Sequence, residues 1–332
     1  MITTAAIVRR YLLLSLLLGI TGVLAVRVGA VGLSLHDIIA AVRGTADSAT
    51  HTIVVGLRIP RVALAALCGA ALAISGATYQ ALLRNTLAEP YILGVSSGAA
   101  LGAVAATVFG LDRLSPWIIP AFAFAGALAA IVLVLRVALV AGRVLDRRTL
   151  LLAGVVVGAF CNAAVLLFLT FADAESFRSA VFWMMGSLAG ATWQHVLLVA
   201  VPLVTGGVVL FGLARSLNLL AVGEPTAAAL GVPVERVKYL CFALASVLAA
   251  AAVAVSGVIG FVGLIIPHAV RLMWGSNYRQ LLPGAALLGA IFLVLADAAA
   301  RTVAAPTELP IGVLTALVGV PVFVVLLRRR DD

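Results

Sequence analysis

Arg58-Ile59-Pro60-Arg61 and the polar knot Arg84-Asn85-Thr86-Leu87-Ala88-Glu89-Pro90 bracket one apolar run, and Gly94-Val95-Ser96-Ser97-Gly98 opens the next. Guanidinium and carboxylate groups at the ends of apolar runs suit ion pairing at a membrane surface. A helix needs roughly 20 apolar residues to cross a bilayer core, so the basic cluster and the knot are expected on opposite faces. A second set lies in the loop 218–238, where Gly223, Glu224, Pro225, Ala228, Leu230 and Gly231 describe a short Ala-rich helix. Pro is tolerated in a first helical turn, and a carboxylate there favours the positive end of the helix dipole. Gly231 and then Pro233 stop it. Such a helix between two apolar runs reads either as a docking element or as an ordinary surface loop. A third set is Gly154, Gly158 and Asn162, four apart and hence on one helix face. A polar side chain near mid-membrane turns to protein or water, so Asn162 either bonds a neighbouring helix or lines a passage.

The elements that position these residues are membrane helices. The chain is 64% apolar and 11% charged, with a mean hydropathy of +1.22, which describes a protein whose solvent is lipid. Its net charge of +9 comes from arginines scattered singly between apolar runs, without the basic stripe that nucleic-acid binding requires. Cys68, Cys161 and Cys241 sit inside apolar runs without Cys-x-x-Cys spacing, so neither a disulfide framework nor a zinc site has support. The run from Tyr11 to Val26 is longer than a signal-peptide core and reads as an uncleaved first helix.

Marking spans of roughly 20 residues and breaking them at charged or Pro/Gly clusters gives ten crossings. They lie near 11–31, 58–82, 92–110, 116–138, 149–171, 194–214, 237–257, 260–274, 280–304 and 308–328, with an outer half-helix near 176–189. Small residues four apart (Gly98 and Gly102, Gly154 and Gly158, Gly186 and Gly190, Gly69 and Ala73) are expected to let helices approach closely. With the N-terminus inside, Lys and Arg favour the inner loops by about two to one, so the positive-inside rule puts both termini in the cytoplasm. Arg27, Arg43, Arg58, Arg61, Arg113, Arg178 and Arg301 then fall outside.

The carboxylates constrain function by position. All thirteen Asp and Glu residues are expected at or near membrane surfaces, whereas an ion-coupled carrier needs one near the midplane. Asp297 comes nearest, and Arg301 one turn beyond it suggests a structural ion pair. The chain encodes no phosphate-binding loop, because the only lysine, Lys238, stands in Glu235-Arg236-Val237-Lys238-Tyr239. ATP-driven transport would need a separate ATPase. An intramembrane enzyme would need a convergent nucleophile and base, which the scattered histidines do not offer.

Long blocks of this chain match one family in order: LRIPR at 57–61, GAALAISGATYQALLRNTLAEPYILGVSSGAALGA at 69–103, LLLAG at 150–154, FWMMGSL at 182–188, LAVGEPTAAALGV at 220–232, GFVGLIIPHAVR at 260–271, LLPGAALLGA at 281–290, LADAAAR at 295–301 and ELPIGVLTALVGVPVF at 308–323. The chain resembles the permease subunits of bacterial type II ABC importers for ferric siderophores, haem and cobalamin, the FecCD-type permeases. Thr86 departs from the family's usual Asn-Pro-Leu-Ala run. The resemblance implies an all-α permease of ten helices forming a single transmembrane domain over 1–332 in the bacterial inner membrane. It also implies a homodimer with one passage on the dimer axis, two ATPase subunits that bind ATP and Mg, and a periplasmic or lipid-anchored binding protein. This chain would then be no enzyme and would hold no cofactor of its own. Residue by residue, Arg58, Arg61 and Arg301 align with cations that meet glutamates of the binding protein. Glu224 to Gly231 align with the coupling helix on the ATPase, and Leu145, Asp146, Arg147 and Thr149 with the cytoplasmic gate. His268 falls in the Pro-His-x-x-Arg segment and reads as structural rather than a haem ligand; His36 and His51 are outer-loop residues. An iron complex, haem or ferric siderophore, is the expected cargo, with cobalamin as the alternative and a stand-alone carrier as the competing class.

Overall fold

The computed structural model describes residues 4–29, 32–141 and 146–328, and over these it is helical without strands. Helix α1 (Thr4–Arg27) leads into two short helices, α2 (Leu35–Val42) and α3 (Ser48–His51), then a π-helical turn (Thr52–Arg58) and α4 (Ile59–Leu82). Next come α5 (Val95–Val108), α6 (Ile118–Ala141), α7 (Arg147–Thr170), the half-helix α8 (Ala174–Met184) and α9 (Trp193–Gly212). The chain continues through α10 (Ala214–Val222), α11 (Glu224–Ala229), α12 (Val234–Ser256), α13 (Val262–Trp274), α14 (Tyr278–Thr302) and α15 (Ile311–Arg328). Side-chain oxygens start several of them. Ser34 and Asp37 form a capping box on α2, and Asp47, Asp146, Asp173, Thr192 and Asn277 cap α3, α7, α8, α9 and α14.

Each of the ten expected spans has a counterpart. Seven helical segments among the described residues are long and apolar enough to cross a bilayer, and Val95–Val108, Val262–Trp274 and Ile311–Val325 are shorter apolar helices. The second span differs most, because helix continues unbroken from Ser48 to Leu82 over 35 residues. The third is shorter than expected. Residues 83–94 are non-helical and turn back beside α7, where a Cβ on Gly154 would lie 2.8 Å from the Ile92 carbonyl and 3.0 Å from Leu93 Cα. Gly154 is seven residues into α7, about 10 Å along its axis at 1.5 Å per residue. Irregular backbone at that depth is tolerated only where protein covers it or a cavity adjoins it. Both conditions hold here, since Ala88, Pro90 and Leu93 are buried while Glu89 and Tyr91 border a cavity.

Helix α4 forms the centre, packed on α14, α12, α13 and α9. Its contact with α14 is backbone to backbone: a Cβ on Gly69 would strike the Gly289 carbonyl, and one on Gly289 would lie 2.7 Å from Ala73 Cβ. Gly98 and Gly102 likewise seat α5 against Gly126 and Phe122 of α6. These are the close approaches that small residues permit in lipid, where no hydrophobic difference drives helices together. Gly186 and Gly190 do not form such a pair. Helix α8 stops at Met184, Gly186 adopts φ 77° in the following turn, and a Cβ on Gly190 would meet nothing within 4 Å. Interhelical hydrogen bonds fix the register of α4: Ser75 Oγ donates to Ala245 O at 2.6 Å, Tyr79 Oη and Ser246 Oγ lie 2.6 Å apart, and Gln80 Nε2 donates to Gly263 O at 3.2 Å. Each is worth about 0.6 kcal/mol on average in a membrane protein.

Candidate functional site

The two ends of the bundle and the region between them each carry a distinct constellation. At the end expected to face outward, Arg61 donates from Nε to Asp297 Oδ1 at 2.9 Å. It also grips Glu308 in a two-pronged contact, Nη1 to Oε1 at 3.0 Å and Nη2 to Oε2 at 2.8 Å, the fork geometry in which guanidinium meets carboxylate best. Arg301 Nε lies 3.0 Å from Asp297 Oδ2 as an ion contact. Its other nitrogens donate to Val28 O at 2.8 Å and Ala25 O at 3.1 Å. Arg58 Nη1 donates to Val26 O at 2.8 Å and Arg27 O at 3.0 Å. Two arginines therefore satisfy the last carbonyls of α1, where unpaired acceptors and the negative end of the helix dipole favour cations.

The resemblance aligns Arg58, Arg61 and Arg301 with outer-face cations; in the folded chain Arg58 and Arg301 are buried, and the Arg61 side chain is 12% exposed. The anticipated Asp297–Arg301 pair is present, and Arg61 shares the same carboxylate. A carboxylate 1% exposed in such a place needs its cations, because an uncompensated buried charge costs several kcal/mol. Glu308 read from the sequence only as a surface acid opening the 308–323 block, with no sign of its pairing with Arg61. It lies in the segment before α15, and its hydrogen bonds from Arg61, the largest cause, hold its carboxyl below the ordinary glutamate value.

At the opposite end α10 and α11 form a bracket below the bundle. Pro225 sits in the first turn of α11 as expected, Ala227 is buried, and Gly231 adopts φ 82° after the last turn. Lys238 lies 3.0 Å from Glu224 and 2.9 Å from Glu235, tying α11 to the start of α12. Asn218 donates to Asn277 Oδ1 at 3.0 Å and accepts from Tyr278 N at 2.8 Å, tying α10 to α14. The outer surface of the bracket is apolar: Val222 is 65% exposed and Leu230 61%, with Pro225 and Ala228 also exposed.

Of the expected gate residues, Leu145 lies outside the described residues. Asp146 accepts from Arg148 N at 3.0 Å and Thr149 N at 3.2 Å, so it caps α7. The Thr149 N–H is the largest cause holding its carboxyl below the usual range. Arg147 and Thr149 are half-buried in the first turn. Gly154 and Gly158 are buried against the 92–97 segment, while Asn162 is exposed among Val155, Val156, Phe160 and Leu166, also exposed. The shared face thus divides, with its two glycines packed inward and its amide turned outward from the chain.

Between the ends lies a cavity of about 830 Å³ bordered by Glu89, Met184, Met185, Phe261, Val313 and Leu317. A second, polar cavity of about 770 Å³ beside α10 is bordered by Gln80, Arg84, Asn218, His268 and Arg271. His268 is half-buried, whereas His36 and His51 are exposed in the segment between α1 and α4.

The FecCD transport family matches residues 16–329. This chain belongs to that family. The cobalamin import system permease protein BtuC of Halobacterium salinarum is 48% identical over 283 residues, spanning 85% of this chain and 75% of that one. The permease protein YvrB of Bacillus subtilis, an uncharacterized ABC transporter component, is 43% identical over 289 residues, 86% of this chain and 82% of that one. The vitamin B12 import system permease protein BtuC of Salmonella typhi is 43% identical over 273 residues, 82% of each chain. A solved structure described as an inward-facing conformation of an ABC transporter assigned to the metal-chelate type superposes with a TM-score of 0.87. It shares 35% identity and covers 97% of this chain and 99% of its own. PsaBC of Streptococcus pneumoniae, at 13% identity and a TM-score of 0.57, shares the fold.

As a FecCD member the chain is an ABC transporter permease with the type II importer fold, a multi-pass membrane protein that works with ATPase and substrate-binding partners. In that setting the missed residues gain weight. Glu89 stood in a knot expected at the surface, but its carboxylate accepts from Phe261 N at 3.2 Å and borders the central cavity. Its sequence neighbours, Ala88 and Pro90, gave only a turn signal.

Proposed function

We propose that this FecCD permease carries a corrinoid across the bacterial inner membrane as a homodimer with both termini in the cytoplasm. It would receive cargo from a substrate-binding protein and be driven by two ATPase subunits that hold ATP and Mg. One observation carries the choice of cargo: relatives 43–48% identical over more than four-fifths of this chain are named for cobalamin or vitamin B12. The resemblance read from the sequence put an iron complex first. The match to a metal-chelate type transporter at 35% identity is compatible with either cargo, since a corrinoid is itself a metal chelate.

In this reading the passage runs between two copies, along α7 and α15. Support comes from Asn162, which faces away from its own chain among apolar side chains. A polar group at such depth favours water or a second protein surface over lipid. The bracket of α11 is proposed as the coupling element, because Pro225, Ala228 and Leu230 present apolar surface beyond the membrane helices. Asp146, Arg147 and Thr149, with Leu145, would form the gate at the start of α7. At the outer mouth, Arg61 is the cation we assign to binding-protein docking, since its partner Glu308 is 44% exposed and can be exchanged for an incoming carboxylate. Arg58 and Arg301 brace that mouth through α1.

The test is uptake into liposomes holding this chain with its co-expressed ATPase and binding protein, offered radiolabelled cyanocobalamin, haem or a ferric hydroxamate. ATP-dependent uptake of cyanocobalamin is expected. Uptake of an iron complex alone would reassign the cargo, and uptake by this chain alone under an ion gradient would remove the ATP-driven reading. Labelling a cysteine at Asn162 with a bulky maleimide should block transport; full activity after verified labelling would return that face to packing.

A further inference from the structure

Resting on the passage reading above, we propose that Glu89 is a charge filter for cargo: one carboxylate per subunit, midway down the passage, that admits neutral and cationic chelates and disfavours anionic ones. The depth follows from contacts. Glu89 Oε2 accepts from Phe261 N at 3.2 Å. A Cβ on Gly319 would lie 2.8 Å from Phe261 Cβ, and Gly319 stands eight residues after the start of α15 and nine before its end. The carboxylate therefore sits near the middle of an apolar membrane helix, where the sequence placed no acid.

Its surroundings make the charge matter. The cavity it borders is otherwise walled by Met184, Met185, Phe261, Val313 and Leu317. Among the described residues lining it Glu89 is the one carboxylate, no Lys, Arg or His joins it, and Tyr91 is the one other group that can ionise. The field of an unpaired charge reaches farther across apolar walls than through water. An acid at membrane depth is costly and marks a pathway by default. Phe261 holds φ 68°, rare for a residue with a side chain, and the hydrogen bond from its N–H fixes the carboxylate in place. Pinned by that bond, Glu89 keeps its position at the cavity edge while cargo passes. A polyanionic metal chelate would meet two such charges in a homodimer, whereas a neutral corrinoid would meet none of its own sign.

The test needs no identified cargo. In the full chain with Cys68, Cys161 and Cys241 replaced by alanine, Leu317→Cys is placed in lipid nanodiscs at pH 8. Its rates of modification by a cationic and by an anionic methanethiosulfonate of similar size are then compared, with a small neutral methanethiosulfonate as reference. The cation-to-anion rate ratio, normalised to a free thiol in solution, is expected to exceed unity by about tenfold, from a unit charge acting across a few ångströms of weakly screened space. Glu89→Gln keeps an oxygen to accept from Phe261 N and should return the ratio to near unity while leaving the neutral reagent's rate unchanged. An equal ratio in parent and variant would reduce Glu89 to a cap on α13 and overturn the filter, with the passage intact. If Leu317→Cys reacts with the neutral reagent alone, the cavity is closed to water and both readings fall. Should Glu89→Gln not be recovered, a normalised ratio of unity in the parent overturns the filter by itself.

Discussion

The two ends of this permease use charge in opposite ways. At the α1 end, Arg58, Arg61, Arg301, Asp297 and Glu308 are spent on one another and on the carbonyls of α1. At the α11 end, Lys238 fastens the bracket from behind through Glu224 and Glu235, and the surface left in front is apolar. The first arrangement makes a rigid mouth in which only Glu308 is readily displaced. The second braces the bracket and leaves apolar surface exposed, the surface proposed above for the ATPase. Electrostatic complementarity governs encounter and register, while buried apolar contact supplies holding strength. The difference suits a binding protein that must come and go and an ATPase that must stay.

The largest expected effect lies at the mouth. Asp297→Ala leaves the buried Arg301 without a carboxylate and Arg61 with Glu308 alone, and breaking a buried charge network from one side costs about 3–5 kcal/mol. Loss of folded protein in detergent, read by size-exclusion recovery and thermal unfolding, is the expected outcome. The double variant Asp297→Leu with Arg301→Met removes both charges of that pair and should recover part of the loss. Near-normal stability of Asp297→Ala would mean that the mouth is wet and the contrast between the ends is overstated.

Next comes the bracket's surface. Leu230→Asp puts a carboxylate into the apolar contact proposed for the ATPase, which should weaken association about tenfold, since burying an unpaired charge is costly. Pull-down of the ATPase at graded concentration reads it, and unchanged affinity would move the docking surface away from α11. Glu224→Lys acts behind that surface. It places a second ammonium against Lys238, loosening the bracket by about 1 kcal/mol for a partly exposed pair. Substrate-stimulated ATP hydrolysis should fall about fivefold while the ATPase still binds. Normal coupling in this variant would show that the bracket does not depend on its lysine.

These tests bear on features that differ in how far the residues alone revealed them. Spans were legible because apolar length against bilayer thickness is a local property of the chain. The short helix α11 was legible because Pro225, Gly231 and Pro233 mark its limits. The close approaches at Gly69 and Gly98 followed from spacing, but Gly186 and Gly190 carried the same spacing and lie in a turn, because α8 ends first. Spacing cannot report where a helix stops. The mouth was half legible: Asp297 and Arg301 are one turn apart, whereas Arg61 and Glu308 are 247 residues apart and meet only in the folded chain. Glu89 was misplaced because a re-entrant segment has no hydrophobic signature of its own. Its depth is set by where Gly154 and Gly263 leave room for it.

The smallest effect tests whether Glu308 is the exchangeable partner of Arg61. Its folded pKa is depressed, chiefly by the hydrogen bonds from Arg61. Its contribution to stability is therefore fully present above the ordinary glutamate value of 4.5 and is lost as pH falls through the lowered value. Because the side chain is 44% exposed, the contribution is at most about 1 kcal/mol after solvent screening. Unfolding of the wild type and Glu308→Gln is compared from pH 7 to pH 3. The difference should be constant above 4.5 and shrink below it, while acid losses at Asp37, Asp47, Asp146 and Asp173, whose carboxyls are also held low, cancel between the two proteins. The same variant leaves Arg61 held by Asp297 alone, so at low salt it should bind the substrate-binding protein more tightly if an incoming carboxylate normally has to displace Glu308. Weaker binding would instead make Glu308 part of the docking surface, and the mouth would then resemble the bracket in presenting its contact residues ready-made.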